Sequence, residues 1–132
     1  NRIIVANGTQ LAGHVIVEDY AVIGALSGIH QFVRIGESAI VGAGSMVSQD
    51  VPPFCNATGD RATLHGLNLV GLKRRNFSPD TVHQLKRAYR ILFRSGLTVA
   101  EAAARVRAEA GSCPEVERLV RFVESSSRGV CR

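Results

Sequence analysis

Residues 3–48 read IIVANGTQLAGHVIVEDYAVIGALSGIHQFVRIGESAIVGAGSMVS, and one column of that stretch decides the fold. An aliphatic residue returns at every sixth position: Val5, Leu11, Val17, Ile23, Ile29, Ile35, Val41 and Val47. An α-helix repeats its apolar face at three and four residues and a half-buried strand at two, so neither explains a period of six. Two further columns keep the same phase. Two residues before each aliphatic stand Ile3, Thr9, Val15, Ala21, Ser27, Val33, Ala39 and Ser45, all small or β-branched. One residue after stand mostly small turn formers, among them Ala6, Ala12, Gly24, Gly36 and Gly42. Three columns in phase predict a β-solenoid, a parallel β-helix of hexapeptide repeats.

Ahead of this ladder the chain starts at Asn1, with no Met, signal-peptide pattern or cap. Solenoids cover their end coils with caps, so the expectation is a C-terminal fragment that starts in mid-repeat. Behind the ladder, Gln49-Asp50-Val51-Pro52-Pro53 carries two prolines that remove backbone donors, which predicts the end of the pairing and a solenoid over residues 1–53. Residues 54–77, with Gly59, Gly66 and Gly71, are expected to be a connector loop. A three-helix C-terminal domain is expected over 78–132. Ser78 and Pro79 suit the cap and first position of a helix bearing Val82, Leu85, Tyr89 and Leu92, ended by Gly96. Thr98 and Glu101 form a capping box for a second helix, and Pro114 opens a third that frays at Ser125-Ser126-Ser127.

Composition narrows the function classes. No run approaches the roughly 20 apolar residues of a membrane span, so no membrane insertion is expected. Cys55, Cys113 and Cys131 lie far apart with no Cys/His ligand spacing, and they read as reduced cytosolic thiols. The net charge of +5 is uneven. Residues 1–70 hold three basic against five acidic side chains (−2), and residues 71–132 hold thirteen against six (+7). An anionic partner is expected at the back half.

Three hexapeptides make one coil of 18 residues, which stacks Leu11 beneath Ile29 and brings His14 and His30 to one edge on neighbouring coils. Rungs are about 4.8 Å apart, so both rings, with Gln31, can line one groove. Such a pair supplies general acid/base chemistry or orients a hydroxyl. Two surface turn histidines are the plainer reading. A metal is not expected, since no third ligand shares the edge. Gly13 offers its amide to an oxyanion, or is simply a corner glycine with positive φ. Lys73-Arg74-Arg75, after Asn68 in a stretch read as non-helical, suits a diphosphate or is a solvated charge run. Arg87, Arg90 and Arg94 form a stripe for an acidic helical protein or an ordinary wet face. Few aromatics and no binding motif argue against nucleic acid.

Seven segments together carry a resemblance over the whole chain. They are Leu11-Ala12-Gly13-His14-Val15, His30-Gln31-Phe32, Gln49-Asp50-Val51-Pro52-Pro53, Gly71-Leu72-Lys73-Arg74-Arg75, Ala88-Tyr89-Arg90, Arg94-Ser95-Gly96 and Ser127-Arg128-Gly129. The set resembles the acyl-[acyl-carrier-protein]–UDP-N-acetylglucosamine O-acyltransferases. That resemblance implies a cytoplasmic homotrimer of left-handed β-helices with sites between subunits and no cofactor. It also implies transfer of a (R)-3-hydroxyacyl chain from acyl-carrier protein to the 3-hydroxyl of UDP-N-acetylglucosamine, the first step of lipid A biosynthesis. By position, Gly13 matches the oxyanion amide, His14 a sugar contact, and His30 and Gln31 substrate-lining residues. Asn68, Arg74 and Arg75 match the residues that hold the uridine diphosphate. Val70 stands where relatives often have Glu, and Ala43 falls near the acyl-chain ruler. The general-base histidine is expected about one coil below His14, ahead of Asn1, so this chain alone is expected to be inactive. The alternatives are a related UDP-3-O-acylglucosamine N-acyltransferase and a non-catalytic trimeric hexapeptide-repeat binding module. The Gly71–Arg75 segment and the helical tail argue against the first.

Overall fold

A computed structural model describes residues 2–132; Asn1, where the resemblance begins, lies outside them. The hexapeptides wind into a left-handed parallel β-helix with three flat faces. On the first face β1 (Ile4–Val5), β4 (Val22–Ile23) and β7 (Ile40–Val41) stack in order. The second holds β2 (Gln10–Leu11), β5 (Gly28–Ile29) and β8 (Met46–Val47), and the third β3 (Ile16–Val17) and β6 (Arg34–Ile35). Every pairing among these strands joins residues 18 apart, as in Val5↔Ile23, Leu11↔Ile29 and Val17↔Ile35. The aliphatic column points inward, and Ile23, Ile35, Val41 and Val47 are fully buried.

The strands are short because every sixth residue turns the chain. Gly8, His14, Tyr20, Leu26, Phe32, Ser38 and Gly44 all have φ between 56° and 76°. Side-chain-bearing residues rarely hold that conformation, and here hydrogen bonding between coils sustains it. The corner amides of Leu26, Phe32, Ser38 and Gly44 donate to the carbonyls of Asn7, Gly13, Asp19 and Ala25 on the coil before, at 2.8–3.2 Å. Inside, the Ser27 and Ser45 hydroxyls both donate to the Gly42 carbonyl, so these buried polar groups are satisfied.

The prolines do not stop the ladder. Pairing continues as Ile35↔Val51 and then Ile40↔Asn56 and Val41↔Ala57, now 16 residues apart. Two residues are missing between Val47 and Val51, and the coil closes early. Pro52 and Pro53 occupy the following corner, where no ladder donor is needed. The 54–77 segment is not a loop either. β9 (Cys55–Gly59) adds a rung to the first face and folds back antiparallel as β10 (Ala62–Leu67), with a bulge between Leu64 and Leu67. A short helix, α1 (Leu69–Arg74), follows, capped by Asn68.

The three remaining helices are α2 (Pro79–Arg94), α3 (Val99–Glu109) and α4 (Pro114–Ser125). The Ser78 cap, the Thr98–Glu101 capping box and Pro114 at the first position are all formed. Leu85, Val106 and Leu119 are among the fully or nearly fully buried residues of their shared core. The lobe is tied to the hairpin by Gly66 N–H donating to Tyr89 Oη at 2.9 Å and Arg94 Nη2 donating to the Leu64 carbonyl at 2.9 Å. The C-terminal tail then returns to the solenoid. Val130 bridges Asp50 in parallel, and Cys131 N–H donates to the Asp50 carbonyl at 2.8 Å. The buried Asp50 carboxylate accepts from Arg34 N–H at 2.8 Å and from Ser126 Oγ at 2.6 Å. All three cysteines are free and buried. Among the described residues, no helix is long and apolar enough to cross a membrane.

Candidate active site

The corner between β2 and β3, repeated one coil on between β5 and β6, gathers four of the predicted residues. His14 sits at its tip with φ 58°, and its ring lies flat on Phe32, 18 residues on, with centroids 5.1 Å apart and 6° between planes. The histidines do share an edge, but Phe32 rather than His30 is the direct neighbour of His14. His30 and Gln31 instead line an open groove of about 510 Å³ on the second face. Its floor is low because Gly28 has no side chain; a Cβ there would lie 2.9 Å from the Met46 thioether. Arg128 closes one side of the groove, brought in by the tail. Sequence reasoning noted Arg128 only within a motif and missed this placement, since it depends on a contact 80 residues distant.

Gly13 does not carry the positive φ, which falls on His14. The Gly13 carbonyl accepts from Phe32 N–H at 3.2 Å, and its own amide donates to no described residue. The equivalent amides of Asn7, Ala25 and Gln31 are equally unengaged. An unpartnered N–H is therefore a property of the repeat, and only its neighbours make Gly13 special.

The diphosphate candidates lie at the next corner. Lys73 and Arg74 form the last turn of α1, with Arg75 as its C-cap, so the stretch is helical where the sequence suggested otherwise. Cations at a helix C-terminus are favourable on their own account. Arg75 is firmly held: Nη1 donates to Glu37 Oε2 and Ser38 Oγ, each at 2.7 Å, and the guanidinium stacks 3.9 Å over the Tyr20 ring. Glu37 also pairs with Arg118 from α4 at 3.1 Å. Arg74 is exposed and makes no ion pair among the described residues. Asn68 is buried, and both ends of its amide are engaged: Nδ2 donates to the Ser38 carbonyl at 2.9 Å and Oδ1 accepts from Gly71 N–H at 3.1 Å. Asn68 thus orders α1 beside Arg75. Val70 is exposed on that helix.

Ala43 stands at the third corner, between β7 and β8, and is exposed. The basic stripe on α2 is thinner than its sequence suggests. Arg87 pairs with Glu109 at 3.1 Å and Arg94 is turned onto the hairpin, leaving Arg90 free among the described residues. No group of three or more His, Cys, Asp or Glu side chains among the described residues could hold a metal ion. A separate hollow of about 240 Å³ lies between α2 and α3, around Gln84. It is remote from the histidine corner.

The predicted residues are thus spread over all three corners of one prism, with only His30 and Gln31 in a common groove. Residues 50–131 match the family described as UDP N-acetylglucosamine O-acyltransferase, domain 2. Acyl-[acyl-carrier-protein]–UDP-N-acetylglucosamine O-acyltransferases from Burkholderia lata and Burkholderia orbicola are 44% and 46% identical to it, across all of this chain and 52% of each relative. Among solved structures, LpxA from Acinetobacter baumannii superposes with a TM-score of 0.96 at 37% identity. LpxA from Bacteroides fragilis, a UDP-N-acetylglucosamine acyltransferase, does so with 0.97 at 39%. Both are matched by the whole of this chain over 52% of their own length. The chain spans about half the length of the curated relatives it matches. With a domain match over most of its residues and the same fold throughout, the chain belongs to the UDP-N-acetylglucosamine O-acyltransferase family.

Proposed function

We propose that the protein containing this chain transfers a (R)-3-hydroxyacyl group from acyl-carrier protein to the 3-hydroxyl of UDP-N-acetylglucosamine, in the cytoplasm, as the first step of lipid A biosynthesis. One observation carries the reading beyond the family match. The residues expected to touch substrate occupy three different corners, so a single prism cannot converge them. Three parallel copies around an axis set the corner of one subunit against the face of the next, which makes a homotrimer with sites between subunits the natural assembly. The exposed outward residues Ile4, Ile16 and Met46 support such packing.

In this mechanism His30 and Gln31 line the groove that receives the acyl chain, and Ala43 leaves room for its tail. Asn68 orders the helix from which Arg74 and Arg75 hold the uridine diphosphate, and His14 contacts the sugar. A histidine one coil below His14, outside these residues, removes the proton as the 3-hydroxyl oxygen bonds to the thioester carbon. The carbonyl oxygen takes up negative charge, which the Gly13 amide stabilises. Collapse of that intermediate breaks the carbon–sulfur bond and releases the carrier thiol with the proton. No metal or cofactor is required.

The test is acyl transfer by the full-length protein. Acylated carrier protein and UDP-N-acetylglucosamine should yield the 3-O-acyl product by mass spectrometry. Preference for the 3-O-acylated, deacetylated acceptor would favour the N-acyltransferase instead. Undiminished nucleotide-sugar binding in both His14→Ala and Arg75→Ala would favour a non-catalytic module.

A further inference from the structure

We propose that Arg128 is a further substrate-binding residue, which holds the phosphodiester of the acyl donor's phosphopantetheine arm at the edge of the groove on the second face. The proposal rests on the acyl-transfer reading above and adds a residue and a ligand group to it.

The tail delivers Arg128 from outside the solenoid to a fixed place. Its Nε and Nη2 both donate to the Ser48 carbonyl, at 3.1 and 2.8 Å. Its own carbonyl accepts from Gln49 Nε2 at 3.4 Å, and the next two residues turn through Gly129 (φ 83°) into the Asp50↔Val130 bridge. A long cationic side chain is thereby pinned at both ends, which lowers the entropy lost on gripping an anion.

Its charge is uncompensated. Arg34, Arg75, Arg107 and Arg118 each face a carboxylate. Arg128 makes no ion pair among the described residues, and its Nη1 has no partner there. A guanidinium with one edge on a neutral carbonyl and the other open is suited to a phosphate oxygen.

The groove supplies the rest of the complementarity. Gly28 and the exposed Met46 side chain give an apolar floor for a thin chain, and His30 and Gln31 offer polar groups beside it. This is an amphipathic channel with a single cation, which fits a singly charged diester better than a diphosphate. The diphosphate candidates Arg74 and Arg75 belong to a different corner of the same subunit. The two anionic substrates therefore meet separate cations.

Calorimetry on the full-length protein tests this with acyl-phosphopantetheine capped as its methyl phosphodiester and the same compound lacking phosphate, acyl-pantetheine. The wild type should bind the phosphorylated compound about tenfold more tightly, the equivalent of about 1.4 kcal/mol. In Arg128→Gln that preference should vanish, and in Arg128→Lys part of it should return. The KM for UDP-N-acetylglucosamine should be unchanged in both variants. Equal binding of the two compounds by the wild type, or an undiminished preference in Arg128→Gln, overturns the assignment of Arg128 alone. Binding of neither compound by the wild type overturns the acyl-transfer reading together with it.

Discussion

The first two coils carry the same sequence pattern and have different fates. Coil one presents Val5, Leu11 and Val17 inward, yet Val5 and Leu11 remain 42% and 44% exposed. Coil two presents Ile23, Ile29 and Ile35 in the same column, and none exceeds 3%. The pattern specifies which residue faces the axis; burial requires a neighbour on both sides. In this chain coil two lies between two others and coil one has described residues on one side only. A solenoid's stability is thus held in its interfaces between coils more than in any coil.

The largest test of this comparison is a matched pair of truncations. Ile35→Ala in coil two should destabilise the protein by about 3 kcal/mol, the usual range for a packed Ile. Val5→Ala in coil one should lower stability by less than about 1 kcal/mol. Denaturant unfolding of both measures the difference, and equal losses would refute the two-neighbour account. Next comes the strap over the far end. Asp50→Ala leaves Arg34 N–H and Ser126 Oγ without their acceptor and should cost about 2 kcal/mol. Hydrogen exchange should then speed up first in residues 126–132.

Glycines divide in the same way. A Cβ at Gly36 would meet the Pro53 backbone, whereas one at Gly13 has nothing nearer than Gln31 Nε2 at 4.0 Å. Gly36→Ala should cost about 1–2 kcal/mol through overpacking. Gly13→Ala should leave the melting temperature within about a degree of wild type, a change well under 1 kcal/mol. Because alanine keeps the backbone N–H, loss of turnover in the full-length Gly13→Ala protein would consequently report on substrate approach to that amide and not on folding.

The smallest effect is absent at neutral pH. Burial pushes the Cys131 thiol up to about 11 from an ordinary 9.0, and burial raises Cys55 further still. The folded state thus keeps protons that the unfolded chain gives up. The thiols' contribution to stability should be level from neutral pH to about pH 9 and fall as the pH rises toward 11. Cys131→Ala should soften that decline in urea titrations, and a steeper decline would contradict the assignment.

Much of the fold could be read before any coordinates. The period of six gave the axis, the 18-residue register and the shared corner of His14 and His30. The Ser78, Thr98 and Pro114 signals placed three helix starts. The candidate site was less legible. Its residue types were visible, but the engagement of Arg75 by Glu37, Ser38 and Tyr20 was not. Nor was the double use of the Asn68 amide, because these partners come from separate coils.

The repeat alone therefore determined the solenoid, since each hexapeptide records contacts with its own neighbours at fixed spacing. Only the tertiary structure decided where the pattern breaks and what covers it. The step of four from Val47 to Val51 looks like an ending in sequence, because two prolines follow it. In space it is a two-residue shortening of a coil whose edge still has donors and acceptors to satisfy, and β9 pairs with them. The tail's return to Asp50 and the arrival of Arg128 at the groove depend on surfaces that exist only once the coils have stacked.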